Sequence, residues 1–372
     1  MRLLPVTNCK PGMRLAKKIF SEEGLVLLSE GVELTNRLIQ RLSEYGIQYV
    51  YIQDAKTEDI QVQSLISDET FHVALKGIRT TFNEMIAKPK QKKGETHPYI
   101  AGPFKEMMGL IIEDLSNHKD AMIMLMNMSI VDHYLYQHSL NVCVYTTLLG
   151  LSHGYSRDET MVLGLGALLH DVGKTQIDLD ILKKPGKLTE DEYSKMQSHS
   201  FAGYQILKKE PNLPLLVAHS ALQHHERLDG SGYPRGIKGN DIHEYAKWIG
   251  IVDSYDAMTT NRVYRRPLLP HEAVERLYAG SGTLYEQWML QYFRDHVAIY
   301  PLGITVHLNT GEVGVVVKIH SGYPHRPVVR ILYNEAGEEL KVPYEIDLAS
   351  QLTVMIVDVN NLNKSVTLVS GI

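Results

Sequence analysis

Six residues spread along the middle of the chain have the chemistry of one metal site, and a chain that uses them together must fold that region around them. They are His170 and Asp171 side by side, His199, the adjacent His224 and His225, and Asp253. Each type binds a borderline or hard divalent ion through imidazole nitrogen or carboxylate oxygen. His138 lies upstream as a seventh. One ion rarely accepts two consecutive residues easily, so an HD pair and an HH pair point to two ions sharing ligands. Two metals about 3.5–4 Å apart can bind a hydroxide and clamp a phosphoryl group during in-line attack. That chemistry is phosphoester hydrolysis. Any one of these histidines, alone at the end of a core helix, would more often be a hydrogen-bonded structural residue. The ordered set carries the reading.

The 372 residues are enough for about two to three domains. A hydrophobic content of 44% with 22% charged residues is ordinary for a soluble globular protein. A net charge of -5 argues against general nucleic-acid binding by a basic surface. Cys9 and Cys143 are too few for a disulfide framework or a thiolate metal site. A reducing cytoplasm fits that usage. The opening MRLLPVTNCKPGMRLAKK has neither the apolar core nor the cleavage site of a signal peptide. Apolar runs such as residues 161–169 are too short to span a bilayer. A cytoplasmic protein is expected.

Residues 1–54 read as a small β-rich N-terminal module. Residues 12–28 alternate around the turn signal Glu22-Glu23-Gly24, and residues 35–45 have helical spacing with Leu38, Ile39 and Leu42 on one side. Residues 46–52 read as a strand. Residues 55–103 form a helical linker, with a helix around 70–87 and an exposed loop over 88–95 that Pro89 and Gly94 interrupt. Residues 104–300 are almost wholly helical in pattern. Ser156-Arg157-Asp158-Glu159 is a capping box opening an all-round apolar helix whose last turn delivers His170 and Asp171. Thr189-Glu190-Asp191-Glu192 is a second box, opening the helix that carries His199. A third helix over 215–225 ends at the His pair, and a fourth over 242–258 holds Asp253 in its interior. Residues 301–372 change character. Segments 304–306, 314–319, 328–333 and 352–357 are β-rich and separated by turns, which predicts a small barrel or sandwich.

The segment His170-Asp171-Val172-Gly173-Lys174 is followed by Leu182-Lys183-Lys184-Pro185-Gly186-Lys187-Leu188-Thr189. Then comes His224-His225-Glu226-Arg227-Leu228-Asp229-Gly230-Ser231-Gly232-Tyr233-Pro234. This order resembles the HD-GYP family, a branch of the HD phosphohydrolase superfamily whose members hydrolyse the bacterial second messenger cyclic di-GMP. The resemblance continues through Val252-Asp253-Ser254-Tyr255-Asp256-Ala257-Met258-Thr259 and Asn261-Arg262-Val263-Tyr264-Arg265, and covers roughly residues 130–300. It implies a mainly α fold, a helical HD-domain bundle with a binuclear metal site; with the flanking patterns, the bundle is expected between a small N-terminal α+β module and a small C-terminal β module.

The resemblance also implies residue roles. His138, His170, Asp171, His199, His224, His225 and Asp253 match metal ligands, with Asp171 bridging two ions. Lys174 matches the phosphate-contacting lysine, and Tyr233, Arg262 and Arg265 match positions around the substrate guanine or phosphates. Physical chemistry agrees. A bridging carboxylate partly neutralises the repulsion between two cations, and metal-bound water ionises near neutral pH without a protein base. Lysine supplies a point charge to phosphate oxygens and arginine a bidentate fork. Tyr233 stands in a loop shaped by Gly230, Gly232 and Pro234. For Tyr233 the structural alternative is a loop anchor, and for Arg262 and Arg265 a solvated helix end. Some family members hold a third metal through a glutamate one turn before the first histidine; here that residue is Tyr134, which favours two ions. Asp178 and Ala246-Lys247-Trp248-Ile249 also depart from the family pattern without removing a ligand. His133, His153, His219 and His243 receive no catalytic role.

The implied reaction opens cyclic di-GMP to pGpG, with GMP as a further product, by attack of a metal-bridging hydroxide. The family tips the metal to iron or manganese. Two other readings stay open: a receptor that holds cyclic dinucleotide with poor turnover and signals through its flanking domains, and a phosphodiesterase for a mixed GMP–AMP ring. The C-terminal module could bind a signalling protein, pack on the catalytic core or mediate a homodimer.

Overall fold

The computed structural model describes residues 1–21, 25–62, 64–87, 100–116, 134–184, 186–260 and 268–359. Among these the chain divides into two compact units. One is built from the described residues of 1–62 together with those of 294–359, the other from the described residues of 64–116 and 134–293. The Glu22-Glu23-Gly24 turn, the 88–95 loop, His133, Arg262 and Arg265 lie outside the described residues, as does the side chain of Tyr134.

The first unit begins with β1 (Arg2–Pro5), β2 (Ile19–Phe20), β3 (Val26–Leu28), α1 (Asn36–Glu44) and β4 (Tyr49–Ile52). β1 pairs antiparallel with β4, and β2 with β3. The Thr35 hydroxyl caps α1 by accepting the Leu38 N–H. Leu15, Ile19, Leu34, Leu42 and Val50 close a small apolar core between these elements. The unit is completed by the far end of the chain. There β5 (Thr305–Leu308), β6 (Val313–Lys318), β7 (Val328–Tyr333), β8 (Glu339–Asp347) and β9 (Ile356–Val359) form one antiparallel sheet, in the order β8-β7-β6-β5-β9. Where the sequence pattern predicts a barrel or sandwich, the described residues form this single sheet. Leu3 bridges to Ile304, and its amide donates to the Gly303 carbonyl at 2.8 Å. The Arg330 guanidinium makes a two-pronged pair with Asp59, both contacts at 2.6 Å, and reaches Glu345 at 2.7 Å. Such a fork holds geometry better than a single ion pair.

The longest strand, β8, is absent from the sequence expectation. It lies at the sheet edge with most side chains exposed, it is rich in charge, and Pro343 interrupts it. Edge strands tolerate proline and charge because one side of the backbone needs no partner. That freedom removes the apolar alternation by which a strand is read.

The second unit is helical: α2 (Asp68–Ala87), α3 (Ala101–Ser116), α4 (Tyr134–His153), α5 (Arg157–Leu169), α6 (Leu179–Leu182), α7 (Glu190–Gln197), α8 (His199–Leu207), α9 (Leu215–Gln223), α10 (Glu244–Thr259), α11 (Pro270–Tyr278) and α12 (Gln287–His296). α5 is the centre, packed on α3, α4, α9 and α10. Leu163, Leu165, Leu168 and Leu169 on it have no solvent exposure. A helix apolar on every side must be wrapped by others, and here the wrapping brings the ends of α5, α8 and α9 to α4 and α10. Both predicted capping boxes form, at Ser156 and at Thr189. The second does not open one helix running through His199. The Ser198 amide and hydroxyl both turn back to the Lys195 carbonyl, at 3.1 and 2.6 Å, which ends α7, and α8 starts afresh at His199. Among the described residues no helix is long and apolar enough to cross a membrane.

Ser156→Ala removes the acceptor of the Glu159 N–H at the start of α5. Stability should fall by about 1 kcal/mol, read as a lower thermal midpoint with unchanged helical circular dichroism at 25 °C.

Candidate metal centre

Helix ends place most of the candidate ligands. His170 caps the C-terminus of α5 with Asp171 next to it, His199 opens α8, and His224 caps α9 with His225 next to it. Three of these rings make the same local bond. Nδ1 of His170 donates to the Ala167 carbonyl at 2.6 Å, that of His199 to Met196 at 2.6 Å, and that of His224 to Ala221 at 2.9 Å. Each carbonyl lies three residues back, among those a helix leaves without a partner at its C-terminal end. A carbonyl only accepts, so each Nδ1 carries the hydrogen and each Nε2 turns a lone pair inward. His138 and Asp253 instead come from the interiors of α4 and α10. His138 Nδ1 faces Asp256 Oδ2 at 2.7 Å, and Asp256 Oδ1 accepts from Asn141 Nδ2 at 2.9 Å.

Asp171 is the hub. Its Oδ1 lies 3.3 Å from His199 Nε2 and 3.9 Å from His224 Nε2, while Oδ2 lies 3.4 Å from His170 Nε2 and 3.6 Å from His138 Nε2. Two groups of donor atoms therefore share it: Asp171 with His199, His224 and His225, and Asp171 with His138 and His170, the atoms of each group within 4.8 Å of one another. Asp253 spans both, with Oδ1 at 3.1 Å from His138 Nε2 and Oδ2 at 3.7 Å from His225 Nδ1. The site is closed to solvent except at His225 and Lys174, whose side chains are each 17% exposed.

Burial works against the charge of Asp171, but the Lys174 ammonium outweighs it and holds the carboxyl well below the usual range. Asp253 is likewise held low, by His138 and His225 against its burial. Burial depresses His199 to about 4 and pushes His224 and His225 well below the ordinary histidine value. At neutral pH these rings are uncharged, the form that ligates a cation. His138 differs: burial depresses it, but hydrogen bonds to Asp253 and Asp256 prevail and raise it to about 9.

The donor set fits divalent cations. At 3.3 Å the lone pair of His199 Nε2 faces a carboxylate oxygen, two acceptors with no proton between them. Asp171 Oδ1 and His170 Nε2 are buried without a hydrogen-bond partner among the described residues. A buried acceptor left so costs about 1–3 kcal/mol, more when charged. A cation between them removes that cost.

The turn after Asp171 and the loop after His225 hold the site's walls. A Cβ on Gly173 would sit 1.9 Å from the His199 carbonyl oxygen and 2.5 Å from the Gly203 nitrogen, so only glycine lets this turn lie on the start of α8. Lys174 follows and pairs with Asp171 Oδ2. A Cβ on Gly232 would meet the His225 carbonyl oxygen at 2.3 Å. The Tyr233 amide donates to that carbonyl at 3.2 Å, and its ring lies over His225 with centroids 4.5 Å apart. The buried Glu226 carboxylate accepts the Arg235 and Ile237 amides at 2.8 and 3.1 Å. Arg227 donates to the His224 carbonyl at 3.0 Å and lies over the Tyr285 ring. The other histidines sit elsewhere: His153 ends α4, His219 lies against Tyr204, and His243 caps α10 through the Tyr245 amide.

Sequence reasoning gave no role to Asp256, Asn141, Glu226 or Arg227. For the first two a signal exists. Each lies three residues after a candidate ligand on the same helix, Asp253 and His138, so each shares that ligand's face.

Residues 124–287 match the family model described as an HD domain, and residues 305–366 the one described as a KOW domain associated with an HD domain. A cyclic di-GMP phosphodiesterase of Pseudomonas aeruginosa is 27% identical over 93% of this chain and 88% of its own length. A cyclic di-GMP phosphodiesterase response regulator of Xanthomonas campestris is 41% identical over 36% of this chain and 35% of its own. A 3'3'-cGAMP-specific phosphodiesterase of Vibrio cholerae is 42% identical over 34% of this chain and 28% of its own. This chain thus spans most of the Pseudomonas protein but about a third of the other two.

A cation that takes His138 Nε2 must displace the proton that this ring, raised to about 9, holds at neutral pH. Metal uptake should therefore release about one proton from His138, and affinity should strengthen as pH rises from 6 towards 9, where the competing proton is lost. Calorimetric titration in buffers of different ionisation enthalpy measures both. Uptake with no proton release across that range would show that His138 is not displaced.

Proposed function

We propose cyclic di-GMP as the substrate of this chain, which belongs to the HD-GYP branch of the HD-domain hydrolases and is a metal-dependent phosphodiesterase. The observation that carries the reading is the pair of donor clusters joined at one buried carboxylate, Asp171. In this reading His138, His170, Asp171, His199, His224, His225 and Asp253 would hold two divalent ions, iron or manganese, Asp171 belonging to both donor groups. When bound, such a pair supplies Lewis acidity and a nucleophilic water at neutral pH.

The rest follows from the chain's own residues. Water adds to phosphorus, the bond from phosphorus to the 3′ oxygen breaks, and that oxygen leaves with a proton, opening the ring to pGpG. A second cut gives GMP. Lys174, beside Asp171 and partly open to solvent, offers its ammonium to the non-bridging oxygens where negative charge builds. Tyr233, held over His225, presents a ring face on which a guanine stacks or a hydroxyl that reaches a phosphate oxygen. Arg262 and Arg265 complete the substrate contacts in this reading.

Support for cyclic di-GMP over a mixed ring comes from the Pseudomonas phosphodiesterase, whose similarity runs along 93% of this chain, whereas that of the cGAMP-specific relatives covers 34% to 58%. Protein reconstituted anaerobically with iron(II) or manganese(II) and assayed with both rings decides the matter. Faster turnover of cyclic di-GMP, with pGpG appearing first, is expected. Preference for the mixed ring would overturn the substrate. Binding of nucleotide and two ions without turnover would make the chain a receptor.

Two substitutions separate metal holding from chemistry. Asp171→Ala should lose metal and activity together, each by at least about 10–100-fold. Lys174→Ala should keep its metal content yet lose about 10²-fold or more in single-turnover hydrolysis. If Lys174 acted only at a helix end, its loss would cost about 0.3–1 kcal/mol of stability and leave hydrolysis unchanged.

A further inference from the structure

We propose that Asp256 and Asn141 form a lock on the tautomer of His138, and that through it they hold one of the two ion positions selectively; this rests on the metal-centre reading above. The need for the lock follows from where His138 stands. His170, His199 and His224 lie at helix ends, where a carbonyl three residues back takes the Nδ1 hydrogen. His138 lies within α4, and the equivalent carbonyl, that of Leu135, takes the Ser139 hydroxyl at 3.0 Å. Its Nδ1 bonds across the unit instead, to Asp256 Oδ2 at 2.7 Å.

With Asn141 oriented as it is, a neutral amide at 256 does not serve both donors. The two Asp256 oxygens face two donors, His138 Nδ1–H and the Asn141 amide at 2.9 Å. Asparagine at 256 would turn an NH2 group towards one of them. Against His138 that clash moves the ring hydrogen to Nε2, which blocks the atom turned towards Asp171 and Asp253. All three side chains are buried, at 1% exposure for His138 and Asp256 and 2% for Asn141, so the conflict is relieved only if Asn141 turns its amide, which buries its NH2 where Oδ1 now has no hydrogen-bond partner among the described residues. A carboxylate behind an imidazole also raises its basicity as a ligand. Among the four histidines with these inward Nε2 atoms, His138 alone uses a carboxylate for Nδ1.

The consequence is asymmetry. The His138 ring of the group His138, His170 and Asp171 depends on Asp256, whereas the group of Asp171, His199, His224 and His225 has the His199 and His224 rings set by backbone carbonyls. Asp256 and Asn141 are positioning residues, acting through His138.

The test uses the full chain as wild type, Asp256→Asn, and the exchange Asn141→Asp with Asp256→Asn. In the exchange, the amide oxygen at 256 accepts the His138 hydrogen while its NH2 donates to the carboxylate at 141. Bound manganese(II) is measured by elemental analysis after anaerobic titration, and electron paramagnetic resonance separates a coupled ion pair from a single ion. Wild type should bind about two ions as a coupled pair. Asp256→Asn should weaken one binding step by about 10–100-fold, leave the other within about twofold, and show a single-ion spectrum. The exchange should restore the pair. Two ions bound by Asp256→Asn with wild-type affinity, equal weakening of both steps, or an exchange variant still holding one ion would each overturn the lock. Should Asp256→Asn fail to fold, the exchange variant decides alone: a restored pair supports the lock and a single ion defeats it. A wild type that takes up no manganese(II) overturns the metal-centre reading and the lock with it.

Discussion

One buried carboxylate governs the helical unit. Asp171 turns Oδ1 to His199 and His224 and Oδ2 to His170 and His138, and every one of these contacts lies out of water. A negative charge so enclosed is tolerated only where positive charge or donors compensate it. In this chain the Lys174 ammonium does so. The arrangement of α4, α5, α8, α9 and α10 around that point is what turns a costly burial into a site able to hold cations. The apolar, all-buried α5 is the mechanical counterpart. It fixes the one helix end on which the carboxylate stands, and the others pack on it.

Much of the site could be read in the chain because its chemistry is written in residue types. His170-Asp171, His224-His225 and Asp253 are donors set against apolar helices, and the order of motifs around them is specific. Gly173 and Gly232 also declared themselves as motif residues, although their reason, backbone approaching backbone, needs coordinates. What stayed hidden has one physical cause: it depends on which faces meet. Asp256 differs from an ordinary helical aspartate only because α10 turns it to His138. Glu226 reads as a surface acid until its carboxylate is seen to take two loop amides.

Fold prediction divides along the same line. Capping boxes at Ser156 and Thr189 are local, and both formed. The break at Ser198 is local too, but a serine followed by histidine carries no stop signal comparable to glycine or proline. Strand β8 escaped because an edge strand need not alternate. The union of the chain's two ends in one unit could not be read at all, since the Arg330–Asp59 fork joins residues 271 positions apart.

That union has a consequence for how the polypeptide is made. During synthesis the helical stretch emerges as a nearly continuous piece and can begin to collapse on α5 at once. The first strand can pair with β4 early, but it cannot reach Gly303 and Ile304 until that later segment has left the ribosome. Met1–Gln63 must wait with part of its surface uncovered while the 230 residues from 64 to 293 are added. A ribosome stalled before β5 would therefore release a chain with every candidate ligand in place and an unfinished partner for its opening strand, a form open to chaperones and proteases.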